Sequence, residues 1–436
     1  MRVTGKKLAL LSGALAVCLL LLALLAGGRE DAPETEGRCY FTNYASPENL
    51  LAISVENNQG SIVLARVNGG YQALGNFPVQ GDEAEIADFF AQVCCLPLSH
   101  LVEGASASDG QYGLTEPQAE VLIQDGEQGG VLFYLGGPVP GGKGYYACLS
   151  GDDRVFVLEN VYAQLFLSNV ERFLDLRPYP SLDGPAIAEL SGIELLRGSE
   201  TVCCLRQAAT INGETVYFSM EFPWRLLLGA EPVKNALLTP LRQLRGIRIL
   251  EGDTAAVPMS ESFRLSFRDG SVVTVLTGPR DGEYTAVTAE GSGVVLQVPS
   301  ASLAFMDAAA EDILGGVLLK LNLNDIQSLT LNQRTYEIQS SAGQPQIIRD
   351  GQTFDAAVFQ NTVLPALNHI SIGGSWDGTA ANEELLRLRI VSSVTEETIQ
   401  LVFCRLDERR CAVEINGQPA VWCDLAAVSV LLDAAD

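Results

Sequence analysis

The sequence predicts an α+β protein: an N-terminal transmembrane helix followed by three tandem units, each an antiparallel sheet covered by one or two helices. Three observations predict it. A nineteen-residue apolar run, Leu8 to Ala26, lies near the start. The stretch Tyr112–Leu158 alternates apolar bursts (Val121–Ile123, Val131–Leu135, Tyr145–Leu149, Val155–Leu158) with Gly, Asp and Pro punctuation, the pattern of an antiparallel meander. A looser version of that meander returns twice downstream: Tyr145 recurs as Tyr284 and Val155 as Val294 at the same step, and Val421 follows at a shorter one.

The N-terminal run is preceded by Arg2, Lys6 and Lys7 and followed by the largely acidic stretch Gly27–Gly37. At about 1.5 Å per residue it covers about 28 Å, close to the hydrocarbon thickness of a bilayer. The charge asymmetry predicts residues 1–7 in the cytosol, an anchor over 8–28, a linker over 29–48 and the bulk of the chain outside the cell membrane. A cleaved signal with a cut after Gly28 is the alternative, but its apolar region would span only about 7–15 residues. Both readings export the remainder.

Unit one is predicted over 49–177. It has strands at Ile53–Val55 and Ile62–Ala65 and a helix in Gly81–Leu96, capped by Asp82 with Ile86, Phe89, Phe90 and Val93 on one face. The meander follows, then a second helix over Glu159–Leu174 and a linker over Asp175–Pro185. Unit two, 178–317, repeats the order with strands at Thr201–Leu205 and Thr215–Phe218, a helix over Pro232–Ile247, four further strands and a closing helix at Ser300–Ala309. Unit three, 318–436, repeats it again, with its main helix over Phe354–Ile370 and a terminal one over Asp424–Ala434. The units are large enough for separate cores, so they are tandem domains and not short solenoid repeats.

A net charge of −25 leaves no basic stripe for nucleic acid, and an apolar content of 47% excludes a mainly disordered chain. Ten cysteines and two histidines contain no C-x-x-C and no metal pattern, so no cofactor or metal is expected. The vicinal pairs Cys94–Cys95 and Cys203–Cys204 lie in apolar surroundings and read as buried thiols. A turn at Asp407–Glu408 would set Cys404 directly opposite Cys411. A disulfide there requires that the register make them a non-hydrogen-bonded pair.

Gly137–Gly144, GPVPGGKG, comes close to a phosphate-binding loop through Gly137, Gly142 and Lys143. It lacks the following hydroxyl, runs into a strand instead of a helix, and loses donors at Pro138 and Pro140. A hairpin turn is expected, with no nucleotide bound. His100 and His369 follow the main helices of units one and three and read as carbonyl-capping residues at helix ends. No G-x-S-x-G is present. No catalytic residue is assigned, and an enzyme is not expected.

The order YGLTEP (Tyr112–Pro117), an apolar strand, LGGPVPGGKGYYA (Leu135–Ala147) and DDRVFVL (Asp152–Leu158) resembles the bacterial family of domain of unknown function 4340. The resemblance is closest over Ile53–Arg177. Its signature residues here are Tyr112, Gly113, Leu114, Pro117, Gly136, Gly137, Tyr145 and Tyr146, all expected to be structural. The acidic, cysteine-richer composition and the absence of YGL from unit three depart from the family pattern. The family has no established activity. Some members resemble in setting the accessory proteins of gliding-type ABC transporter components, which implies the membrane subunits of such a transporter, besides the bilayer, as partners. The expected function is therefore a non-enzymatic, membrane-anchored extracytosolic accessory or scaffolding protein. The alternative is a ligand-binding module for a cell-envelope component or small molecule, with Trp224, Trp376 and Trp422 as the residues to inspect.

Overall fold

The computed structural model describes residues 40–126, 129–211, 214–250, 258–341, 344–379, 381, 383–395 and 397–435. The expected anchor, 8–28, lies outside them. Among the described residues, no helix is long and apolar enough to cross a membrane. The described residues are mostly β, in three nine-stranded antiparallel sheets with few helices. It divides into two compact units, one up to Leu176 and one from Arg177.

The first unit holds β1 (Tyr40–Asn43), β2 (Leu50–Asn57), β3 (Gly60–Val67), β4 (Gly70–Leu74), β5 (Cys95–Leu101), β6 (Ala119–Asp125), β7 (Val131–Pro138), β8 (Gly144–Leu149) and β9 (Phe156–Glu159), in the order β1-β5-β9-β8-β7-β6-β2-β3-β4. Burial in β6 alternates strictly, with Ala119, Val121 and Ile123 inside, which fixes its face and register. Helix α1 (Glu83–Val93) begins where Asp82 accepts the Glu85 amide at 3.2 Å, and Ile86, Phe89, Phe90 and Val93 are all buried. Phe89 packs against Phe166 and Phe173, and Phe166 against Phe133 of the sheet. The single helix expected over Glu159–Leu174 is two pieces, α2 (Asn160–Leu167) and a 3₁₀ turn, Val170–Phe173. Asn169 accepts the Glu171 amide at 3.0 Å and so starts the new turn, a local bond that competes with helix continuation.

The second unit holds two sheets. One contains β10 (Leu190–Arg197), β11 (Glu200–Ile211), β12 (Glu214–Phe222), β13 (Leu226–Gly229), β14 (Arg248–Leu250), β15 (Glu261–Phe267), β16 (Val272–Thr277), β17 (Tyr284–Ala289) and β18 (Val295–Pro299), ordered β13-β12-β11-β10-β15-β16-β17-β18-β14. The other contains β19 (Ile326–Leu331), β20 (Arg334–Ser341), β21 (Gln344–Arg349), β22 (Gln352–Phe354), β23 (Ile372–Ser375), β24 (Glu383–Ser392), β25 (Thr398–Arg405), β26 (Arg410–Ile415) and β27 (Gln418–Asp424), ordered β22-β21-β20-β19-β24-β25-β26-β27-β23. The connectivity is the same in both: a four-strand meander, a helix, an edge strand, a second four-strand meander. The first unit follows it with three strands before the helix, plus β1. Where the sequence suggests a strand pair ahead of each helix, the sheets therefore have three or four strands. The strands after the helices, β5 inside its sheet and β14 and β23 at the edges of theirs, carry too little periodicity to be read.

The main helices of the second unit, α3 (residues 230–243) and α4 (residues 356–368), share an irregularity. Each widens to a π turn, Lys234–Leu238 and Phe359–Val363, two residues before an internal proline, Pro240 or Pro365. The Thr239 amide reaches back to Lys234 O, and the Leu364 amide to Phe359 O. A helical proline lacks its amide and crowds the carbonyl four residues back, and the wider turn relieves both. Helix α1 has no such proline. Pro97 already belongs to β5, so His100 pairs with Val157 inside a sheet, while His369 caps α4 and donates Nδ1–H to Pro365 O at 2.6 Å. The expectation of matching helix-end histidines therefore holds for His369 only.

Two-residue turns carry Asn or Asp in the left-handed region at Asn68, Asn332, Asp350 and Asn416. Three of them also extend the neighbouring ladder. Asn416 N–H donates to Gln400 O (2.7 Å) while Gln400 N–H donates to Asn416 Oδ1 (2.8 Å). Asn332 pairs with Arg387 in the same way, and Asp350 with Thr335. The short side chain supplies the carbonyl that a further strand residue would have offered.

The expected linker 175–185 is packed, not free. Tyr179 is buried against Phe263 and donates its hydroxyl to Leu241 O at 2.5 Å. Trp224, in the β12–β13 connection after the cis Phe222–Pro223 bond, is 5% exposed and donates Nε1 to Pro419 O at 3.1 Å. Asn416 Nδ2 donates to Arg225 O beside it. These contacts tie the two sheets of the second unit together.

Candidate functional site

The signature stretch is built around close backbone approach. Asp109 accepts the Gln111 amide, the 3₁₀ turn Gly110–Tyr112 follows, and Gly113 ends it at φ 68°, in the left-handed region where a side chain would be strained. The turn lies against β7 where the ladder to β8 shifts register between Leu135 and Pro138, at Gly136 and Gly137. A Cβ on Gly136 would stand 2.2 Å from Tyr112 O, and one on Gly113 would stand 2.8 Å from Gly137 N. Gly136 and Gly137 are thus strand residues at a bulge beneath a loop, and Gly137 is not part of the hairpin turn expected over Gly137–Gly144. That turn is confined to 139–143, closed by Val139 N–H to Gly144 O (2.8 Å), with Gly141 and Gly142 at positive φ.

The two tyrosines of β8 face opposite sides. Tyr146 meets Tyr112 edge to face at 4.9 Å, in a small cluster with Leu114, Cys148 and Val155 under the 102–114 loop. Tyr145 lies on the helix side, where Gln164 of α2 reaches its hydroxyl at 3.4 Å. Pro117 precedes β6, and the next amide, Gln118 N–H, donates to Leu135 O at 2.7 Å. Tyr112, Gly113, Leu114, Gly136, Gly137 and Tyr146 therefore come together as a loop clamp on one face of the sheet, while Tyr145 lies on the other. They pack, and they present no convergent polar groups to a ligand.

Other sequence candidates separate in space. Cys404 pairs with Ala412, and Cys411 with Arg405, so the expected register is off by one residue. Adjacent strand positions point to opposite faces, which puts the two sulfurs on different sides of the sheet. Both thiols are free, and the residue directly opposite Cys411 is Cys423. The vicinal pairs divide likewise: Cys94 and Cys203 are buried, Cys95 is exposed and Cys204 half-buried. Burial pushes the Cys203 thiol up to about 12, with Cys204 beside it adding to the rise, so it is inert at neutral pH. Trp376 donates to Thr379 O, and Trp422 covers Gly373 and Gly374 with Arg410 over its ring. Among the described residues, no group of three His, Cys, Asp or Glu could hold a metal ion.

Residues 71–216 match the model of the family described as domain of unknown function (DUF4340). The chain carries a DUF4340 domain. The DUF4340 match starts in β4 and runs into β12, so it omits β2 and β3, which the sequence resemblance included, and takes in β10 and β11. It contains the whole loop clamp. No curated protein and no solved structure matches the chain.

Proposed function

We propose that this DUF4340 protein is a non-enzymatic, membrane-anchored extracytosolic accessory or scaffolding protein, acting with the membrane subunits of an ABC transporter. The observation that supports this reading is the repetition of one large antiparallel sheet connectivity downstream of the apolar run Leu8–Ala26 and its flanking charges. Extended sheets with helices between their halves offer broad surfaces suited to docking, and the signature motif is consumed in packing. A ligand-binding module is the second reading. It receives less support, because Trp224 and Trp422 lie against backbone of their own unit.

The test is affinity capture of the tagged full chain from host membranes in a mild detergent. Co-purification of transporter membrane subunits is the expected result. Recovery of the chain alone under gentle conditions, after confirmed extraction, refutes the accessory role. Release of the chain from membranes by alkaline carbonate refutes the anchor.

A further inference from the structure

Cys411 and Cys423 face each other across β26 and β27 as direct partners, and each is fully buried. The Leu425 amide donates to Arg409 O at 2.8 Å, and the ladder runs in register from there through Arg410–Asp424 to Cys411–Cys423. Antiparallel pairs alternate between hydrogen-bonded and non-hydrogen-bonded, so Cys411–Cys423, two steps in, is a hydrogen-bonded pair with Cα atoms about 5.5 Å apart. That lies inside the range of about 4.4–6.8 Å that disulfides span. The Cys423 thiol is pushed up by its neighbour Cys411 and by burial, in keeping with the pairing that the register gives.

We propose that Cys411 and Cys423 are a redox pair that closes a cross-strand disulfide within the β26–β27 hairpin. This rests on the reading that the chain is exported, because a thiol pair stays reduced in a cytosol. In the reaction both S–H bonds break and one S–S bond forms. The two electrons and two protons pass to an external disulfide oxidant, which leaves as two thiols. A non-hydrogen-bonded pair, the register asked of Cys404 and Cys411, bridges without strain, whereas a hydrogen-bonded pair bridges only by straining the ladder. Here the Cβ atoms start nearer about 5.5 Å than the roughly 3.5–4.5 Å a disulfide holds, so closure draws the strands together and makes the bond easier to reduce than an ordinary structural one. Burial limits exchange to the stage before the hairpin is covered. Cys404, on the opposite face, takes no part.

The experiment refolds the full chain from denaturant in detergent under a glutathione redox buffer, blocks free thiols, and maps peptides without reduction. The expected result is one cross-linked species joining the Cys411 and Cys423 peptides, lighter by two hydrogen atoms, with Cys404 alkylated. Cys423→Ser abolishes it, and should that variant fail to fold, the wild-type map alone decides. Recovery of both residues as alkylated thiols, or a bond from Cys411 to Cys404, overturns the proposal. A second sample, taken from host membranes with thiols blocked at lysis, carries the same bond if the chain is exported. A bond that forms on refolding but is missing from that sample rejects the export reading and leaves the pair standing.

Discussion

Gly136→Ala is the substitution that most directly probes the loop clamp. Its Cβ would sit 2.2 Å from Tyr112 O, 3.0 Å from Gly113 C and 3.1 Å from a Leu114 methyl, and two of these three neighbours are backbone. To reach ordinary contact the 110–114 turn must retreat by roughly 1 Å, because a well-packed interior offers no slack of that size. Overpacking of this kind costs about 1–3 kcal/mol. The retreat also uncovers part of Leu114, now 8% exposed, and loosens the Tyr112–Tyr146 contact. Full exposure of a leucine would add about 1.5–3 kcal/mol, so a partial share brings the total to about 2–4 kcal/mol. Gly110→Ala is the matched control, since nothing lies within 4 Å of its Cβ and its φ is ordinary. Urea unfolding of both variants gives the free energies, and amide exchange at Gln118, whose N–H is held by Leu135 O, reports the site locally. A Gly136→Ala chain within about 0.5 kcal/mol of Gly110→Ala, with Gln118 equally protected, would refute the close-approach argument.

Trp224→Ala empties a buried indole site and frees the Pro419 carbonyl, so it should cost about 3–5 kcal/mol; calorimetry would show the second unit melting earlier or in two steps, and an unchanged transition counts against the clamp between its sheets. Asn416→Asp keeps the acceptor for the Gln400 amide but replaces the donor to Arg225 O, and the expected loss is about 1 kcal/mol in urea unfolding, restricted to the second unit. Asp307 is held below the usual carboxylate range by its hydrogen bonds from Arg280, so its stabilisation is present above an unfolded value of about 3.9 and fades as pH falls through the lowered folded value. Since Asp307 is largely exposed, the effect is within about 1 kcal/mol; Asp307→Asn should flatten the acid limb of stability against pH, and an unaltered limb would remove the pairing from the account.

Much of the architecture was legible residue by residue. The apolar burst Val121–Ile123 marked β6, the Asp82 cap and the spacing of Ile86, Phe89, Phe90 and Val93 marked α1, and the equal steps from Tyr145 to Tyr284 and Val155 to Val294 land in or beside equivalent strands, β8 with β17 and β9 with β18. The short edge strands β14 and β23 were not legible, because strands of three or four residues at the rim have one partner and no obligatory burial pattern to advertise them. The Glu159–Leu174 pattern had apolar anchors at helical spacing throughout, yet Asn169 broke it by a bond to the backbone that periodicity does not register.

In the signature stretch the residue types alone determined that a turn would meet a sheet, since Gly113, Gly136 and Gly137 have few other uses in an apolar context. Only the tertiary structure decided where the turn lands: on a bulge in β7, with Tyr146 and Tyr145 on opposite faces. The cysteines make the same division. Sequence supplies a hairpin containing Cys411, but a one-residue change of register moves every side chain to the other face, so Cys423 and not Cys404 is its neighbour. Local chemistry determines which elements form and where they turn; pairing between distant segments is decided by the packing of whole faces, a property that no short stretch of sequence holds.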